Sequence, residues 1–181
     1  MKYKFIIKIK KSTMKKLVLF LAVVLPLAVL AQKTPVDKLF DKYANQKGFT
    51  TVNISGKLLG FAAQMETGDE STSDMLSSLK GIRVLTVEDD ELNKKLDFYE
   101  ELDNDGFFKN NNFEVLMEVT EENEIVRFLA KEADNGKISD LLLIVGGDDN
   151  TLISISGIID PESIGKITGA LNIDVGNIDI K

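Results

Sequence analysis

The sequence predicts an α+β fold: one two-layer domain over residues 32–181, with a mixed sheet and helices covering mainly one face. Up to about residue 105, apolar residues recur mostly at helical spacing, with two shorter segments rich in strand formers. From residue 113, short apolar segments alternate with turn sequences, which predicts a C-terminal four-strand antiparallel meander. No repeat or internal linker divides this region.

The start of the chain has the organisation of a signal peptide. Residues 1–31 contain seven lysines and no acidic residue, and their apolar segment closes on Val29-Leu30-Ala31. A basic start, an apolar centre and small residues before the cut are typical of export signals, so we predict cleavage after Ala31. Met14 offers a second start, which makes residues 1–13 an upstream extension. The apolar segment is shorter than a membrane span and contains Pro26.

The predicted cleavage doubles the net negative charge. The whole chain has 22 basic and 29 acidic residues, a net charge of −7. Seven lysines leave with the signal, so 15 basic residues remain against 29 acidic ones, a net charge of −14 over 150 residues. Such a surface repels nucleic acids and anionic lipid and suits a basic partner. We expect an exported protein of the periplasm or extracellular space, without a membrane span after cleavage.

The missing residue types exclude several chemistries. The chain has no cysteine and no histidine. Disulfides, thiolate nucleophiles, imidazole metal ligands and histidine-based catalytic triads are therefore excluded. Without a cysteine to carry lipid, the chain is not expected to be a lipoprotein. Any bound metal must be held by oxygen ligands, and calcium is the best match.

Spacing and end signals define the elements before the meander. In the helix predicted over 57–66, Leu58, Phe61, Ala62 and Met65 form the expected buried face. The acidic residues 88–91 at a helix start are explained by capping and the helix dipole. We predict helices over 35–46 and 57–66, a short helix carrying Met75, Leu76 and Leu79 that Gly81 ends, a helix from 88 that Gly106 ends, and strands over 49–54 and 82–87.

The meander is defined by alternation and by turn residues. Asp134-Asn135-Gly136 predicts a tight hairpin, because asparagine and glycine tolerate positive φ. The segment 141–145 is apolar on both faces and is expected to be a central strand. Strands are predicted over 113–119, 125–130, 141–145 and 152–159, followed by a last helix from Asp160 that carries Ile164, Ile167 and Leu171.

One acidic segment resembles the beginning of a calcium-binding loop. Glu101, Asp103 and Asp105 alternate, and Gly106 follows, which is the spacing that brings oxygen ligands together in an EF-hand. The first position is glutamate rather than aspartate, and the twelfth is Asn112 rather than glutamate. The alternative is a helix end in which asparagine and glycine provide turn conformations.

Two further features give candidate sites. Phe107 and Phe108 follow Gly106 in an asparagine-rich stretch, where adjacent aromatic residues can form a recognition patch or pack into the core. The many carboxylates also leave open a hydrolase that works with two acids in one pocket. The sequence identifies no catalytic residue for such an enzyme.

Several segments together resemble a known family, the one called domain of unknown function 4252. The resemblance implies a small exported protein of Bacteroidetes, and many members of the family are predicted to be lipoproteins. It transfers no catalytic residue. It rests on LFDKY (39–43), GFTTVNIS (48–55), KGIRVL (80–85), GKISDLLLIV (136–145) and SISGIID (154–160).

Charge, export signal and composition favour a non-catalytic binding protein of the cell envelope. Its expected partner is an envelope or extracellular protein, and no cofactor is expected unless calcium binds. The alternatives are a calcium-binding protein that uses the 101–106 loop and a carboxylate-dependent hydrolase.

Overall fold

A computed structural model describes residues 33–65, 69–104 and 106–165. The description below concerns the unit of the chain that begins at Pro35. The predicted signal peptide (1–31) and the last helix beyond residue 165 lie outside the described residues. Among the described residues, no helix combines the length and apolar composition needed to cross a membrane.

Six strands form one sheet, in the order β1-β2-β6-β5-β4-β3. All five neighbouring pairs are antiparallel, so the prediction of a mixed sheet is wrong. A single crossover helix after β1 would have made β2 parallel to it. Instead, two consecutive helices bring the chain back to the end of the sheet where β1 finishes, so β2 runs antiparallel. The strands are β1 (Phe49–Ser55), β2 (Leu79–Val87), β3 (Phe113–Thr120), β4 (Glu124–Glu132), β5 (Ile138–Gly147) and β6 (Thr151–Ile159).

The strands confirm the predicted meander and its turns. β3 to β6 follow one another as antiparallel neighbours, with β5 in the sheet interior. Asn135 and Gly136 both adopt positive φ, 64° and 71°, as the hairpin prediction requires. β2 begins earlier than predicted, at Leu79, and Gly81 lies inside this strand at a register shift instead of ending a helix.

The helices cover both faces of the sheet, so the predicted two-layer arrangement is wrong. On the first face, α1 and α4–α6 bury aromatic and leucine side chains against Leu85, Leu142 and Leu152. On the second face, α2 and α3 pack against Leu141 and Ile153 with others. Successive side chains of the central strands point to opposite faces of the sheet. Because both faces are apolar, helices pack on both of them. The helices are α1 (Pro35–Tyr43), α2 (Gly56–Met65), α3 (Glu70–Ser78), α4 (Asp90–Asn93), α5 (Phe98–Asp103) and α6 (Phe107–Asn110).

The long helix predicted from residue 88 to Gly106 is two short helices, α4 and α5, and α6 begins directly after Gly106. Asp89 caps α4, as its carboxylate accepts bonds from the backbone N–H groups of Glu91 and Leu92. Asp97 then caps α5, because its carboxylate accepts a hydrogen bond from the backbone N–H of Glu100 at 3.0 Å. Gly106, with φ at 68°, precedes α6. Capping therefore explains the acidic start, as predicted, but a second cap interrupts the helix.

Candidate functional site

The exposed face of α2 is the largest apolar feature on a described helix. Leu58, Phe61 and Met65 are 56%, 50% and 80% exposed, and we call these three residues the α2 stripe. They lie at positions i, i+3 and i+7 and so share one side of the helix. Exposed apolar side chains grouped in this way mark interaction surfaces.

The stripe is outward because other residues of α2 face the protein. Leu59 and Ala63 are buried, which corrects the prediction that Leu58, Phe61, Ala62 and Met65 face the core. Gly56 fixes the close approach of the helix to β2, since an added Cβ would lie 2.7 Å from the Lys80 carbonyl oxygen. A bulkier residue at that position would push α2 away from the sheet.

The second feature is β1, which lies at one edge of the sheet. None of its seven residues is charged, and its register with β2 runs from Phe49 to Ser55 without a shift. The opposite edge, β3, carries Glu114 and Glu118 and has a register shift between Val115 and Met117. Charges and bulges are the usual protection of an edge against pairing, and β1 has neither.

The predicted calcium ligands have other partners. Glu101 forms an ion pair with Lys42 and accepts a hydrogen bond from the Tyr43 hydroxyl at 2.7 Å. The bond to Glu101 raises the pKa of Lys42 above its usual value. Burial raises the pKa of the Tyr43 hydroxyl, and the bond to Glu101 acts in the same direction. These contacts tie α5 to α1.

Asp103 points toward a different group. Its Oδ1 lies 3.4 Å from the backbone nitrogen of Phe108 and accepts its hydrogen bond, so it supports the start of α6. Asp105 lies outside the described residues. Within the described part of the chain, no three carboxylates are grouped closely enough to hold a metal ion. The observed contacts give Glu101 and Asp103 structural roles.

Phe107 and Phe108 lie in the core and do not form the exposed patch considered from the sequence. Their side chains are buried under the first face of the sheet. Phe108 stacks on Tyr99 with ring centroids 4.8 Å apart, and Phe107 packs on Phe113 at 5.5 Å. The short helix α6 turns both rings inward, which the asparagine-rich sequence around them did not indicate.

A groove of about 480 Å³ brings several carboxylates together. Asp74 of α3, Asp160, Glu162 and Lys137 line it with three serines. Asp160 has a structural role there, because its carboxylate accepts the Glu162 N–H at 3.2 Å and caps a short 3₁₀ turn. Asp160, one of the two acids that line the groove with Asp74, is therefore engaged in capping.

The sequence pattern did not predict the α2 stripe, because apolar residues at helical spacing were expected to be buried. One signal could have identified it: only Lys57 and Gln64 are polar in a helix of ten residues. A helix that is apolar nearly all round is either enclosed or presents an apolar face to solvent. The uncharged sequence of β1 was likewise visible, but its place at an edge depended on the topology.

The comparisons with known proteins identify a family. The family model described as Domain of unknown function (DUF4252) matches residues 43–167, which include all six strands of the described sheet and helices α2 to α6. No curated protein and no solved structure matches the chain. Because the match spans more than half of the sequence, the chain belongs to the domain of unknown function 4252 family.

Proposed function

We propose that this chain is an exported, non-catalytic interaction protein of the cell envelope that binds a partner protein through the α2 stripe. The observation that carries the proposal is the exposure of Leu58, Phe61 and Met65 on one side of a short surface helix. Each large apolar side chain that a partner covers contributes about 1.5–3 kcal/mol.

The charge of the chain defines the kind of partner. With the predicted signal removed, 15 basic residues stand against 29 acidic ones. A partner surface with an apolar centre and a rim of lysine and arginine complements both the stripe and the net negative charge of the chain. Export rests on the basic and apolar leader at residues 1–31.

The two alternatives have less support. For calcium binding, Glu101 is held by Lys42 and Tyr43, and Asp103 by the Phe108 backbone. For hydrolysis, Asp160 in the α3 groove caps the following turn. These contacts give Glu101, Asp103 and Asp160 structural roles, whereas the three side chains of the α2 stripe are exposed on one side of their helix.

Cross-linking in intact cells, followed by affinity isolation of the chain, tests the proposal. A photoreactive residue at position 61 is expected to give a reproducible adduct, and the same residue at position 116 is the control. Leu116 is similarly exposed, at 52%, but lies on β3. The captured protein is then purified and titrated against the chain. No adduct, or adducts equally strong from both positions, would remove the basis of the proposal.

A further inference from the structure

The backbone of β1 is arranged to pair with another strand. The backbone N–H of Glu88 donates to the Gly48 carbonyl at 2.8 Å, so this opposed pair is hydrogen-bonded. Hydrogen-bonded and non-hydrogen-bonded pairs alternate in an antiparallel ladder, and Val52 is therefore also bonded to β2. Thr51 and Asn53 fall between, so their N–H and C=O groups point outward, where the described residues place no further strand.

The side chains of β1 suit a second copy of the same strand. The sequence FTTVNIS is uncharged, and Thr50, Thr51, Val52 and Ile54 are β-branched strand formers. Its four central residues are exposed. Most of an acidic surface repels its own copy, because like charges meet. A strand without charge avoids that repulsion. Val52 is the middle residue of the seven in β1.

We propose that two copies of this chain associate by antiparallel pairing of β1 with β1, about a two-fold axis at Val52. In this register Thr51 lies opposite Asn53 of the second copy, so the outward backbone groups of both residues are paired in about four hydrogen bonds. Val52 faces Val52, and Thr50 lies opposite Ile54. Every opposed pair is uncharged, and the two sheets join into one continuous sheet.

The symmetry has a consequence for the α2 stripe. A two-fold axis perpendicular to the joined sheet keeps the same face of both copies on the same side. Both α2 helices follow β1 directly and pack on that face. The dimer therefore presents two stripes on one side, and a partner with two matching sites gains from simultaneous binding.

Sedimentation of the chain as isolated from the cells that produce it tests the pairing. We expect a particle of twice the chain mass that mass spectrometry gives for the same sample. Val52→Lys places two ammonium groups together at the axis and is expected to weaken association at least tenfold. The matched control is Val115→Lys, because Val115 is an exposed valine (49%, against 42% for Val52) on the opposite edge strand. This control is expected to remain dimeric.

Cross-linking through a single cysteine provides the second measurement. The natural chain has no cysteine, so one introduced thiol reports one position. Val52→Cys is expected to form a disulfide-linked dimer on mild oxidation, because opposed non-hydrogen-bonded residues have Cα atoms about 4.5 Å apart. Val115→Cys is expected to stay monomeric on a denaturing gel. Under reducing conditions, circular dichroism melts verify that both variants are folded.

Results from the wild-type chain and from the two position-52 variants would overturn the pairing. They are a wild-type chain that is monomeric at 100 μM, a Val52→Lys variant that remains dimeric, and a Val52→Cys variant that links no better than Val115→Cys. A different protein linked at position 52 would also overturn it, by assigning the edge to another partner. None of these results concerns position 61, so the pairing and the α2 contact fail separately.

Discussion

Asn150 joins three parts of the fold through a buried set of hydrogen bonds. Its backbone N–H donates to Asn93 Oδ1 at 2.9 Å, and its side-chain amide donates to the Asn93 carbonyl at 3.0 Å. The Asn150 carbonyl accepts from Val87 N at 3.0 Å. The loop before β6, helix α4 and the end of β2 are thereby held together. Buried polar groups of this kind contribute through the cost of leaving them unpaired.

Asn150→Ala is expected to destabilise the fold by about 1–3 kcal/mol, because it leaves the Asn93 carbonyl without its buried amide partner. Chemical denaturation followed by circular dichroism measures the change. Asp149→Ala is the matched control, since Asp149 is exposed in the same loop, and it is expected to stay within about 0.5 kcal/mol of wild type. Equal effects of the two substitutions would show that the buried amide has no special role.

The contact of Glu101 with Lys42 and Tyr43 predicts a loss of stability in alkali. Both raised pKa values mean that the folded state holds its protons more tightly than the unfolded state. The contribution is complete below the unfolded values, near 10 and 10.5, and is lost as pH rises through the folded values. Denaturation midpoints between pH 8 and 11.5 are expected to fall less steeply in Glu101→Gln. Parallel profiles of wild type and variant would contradict this account.

Calcium provides a test of the acidic loop. The bonds of Glu101 to Lys42 and Tyr43 lead us to expect no change of Tm in millimolar calcium relative to magnesium. A specific ligand at 100 times its Kd would add about 2.7 kcal/mol. A shift of that size that Asp103→Ala abolishes would assign calcium to the loop and overturn the structural roles given to Glu101 and Asp103.

Helix α2 differs on its two sides, and substitutions separate them. Leu59→Ala is expected to cost about 2–5 kcal/mol, because Leu59 is buried against the second face of the sheet. Phe61→Ser and Met65→Ser are expected to change stability by less than about 0.5 kcal/mol, since both side chains are exposed. Thermal melts of the three variants decide the matter. A large loss in Met65→Ser would place the stripe in the core.

The strands were predicted from sequence more accurately than the faces of the helices. Alternation and turn residues locate β3 to β6, and Asn135 and Gly136 have the positive φ that the hairpin needs. In α2, however, apolar residues surround most of the helix, so the 3.6-residue period leaves the buried side undefined. Only the packing of Leu59 and Ala63 selects it. The same limit applies to Phe107 and Phe108, whose burial depends on the turn at Gly106.

The topology was accessible only in part. Four consecutive antiparallel strands need only short turns, so the meander follows from local sequence. The place of β2 beside β6 depends on contacts between residues far apart, such as Val84 with Ile153. That placement makes β1 an edge strand, so its uncharged residues lie at the border of the sheet. A candidate interaction surface that depends on strand order could not be recognised in the sequence of β1 alone.

At the scale of the whole molecule, the predicted removal of residues 1–31 controls the charge. Intact mass measurement of the chain isolated from the envelope fraction is expected to show a mature protein that begins at Gln32. Loss of the seven lysines accounts for the change in net charge from −7 to −14. A chain that retains residues 1–31 would contradict export by cleavage and would keep the net charge at −7.

The affinity of the chain for the partner captured at position 61 tests the central claim most directly. Isothermal titration compares the wild-type chain with Phe61→Ser and with Leu116→Ser, a similarly exposed residue on β3. Burial of the Phe61 ring in the complex predicts that Phe61→Ser weakens Kd by about 10- to 100-fold, while Leu116→Ser leaves it within twofold. Equal affinities for all three chains would contradict binding through the α2 stripe.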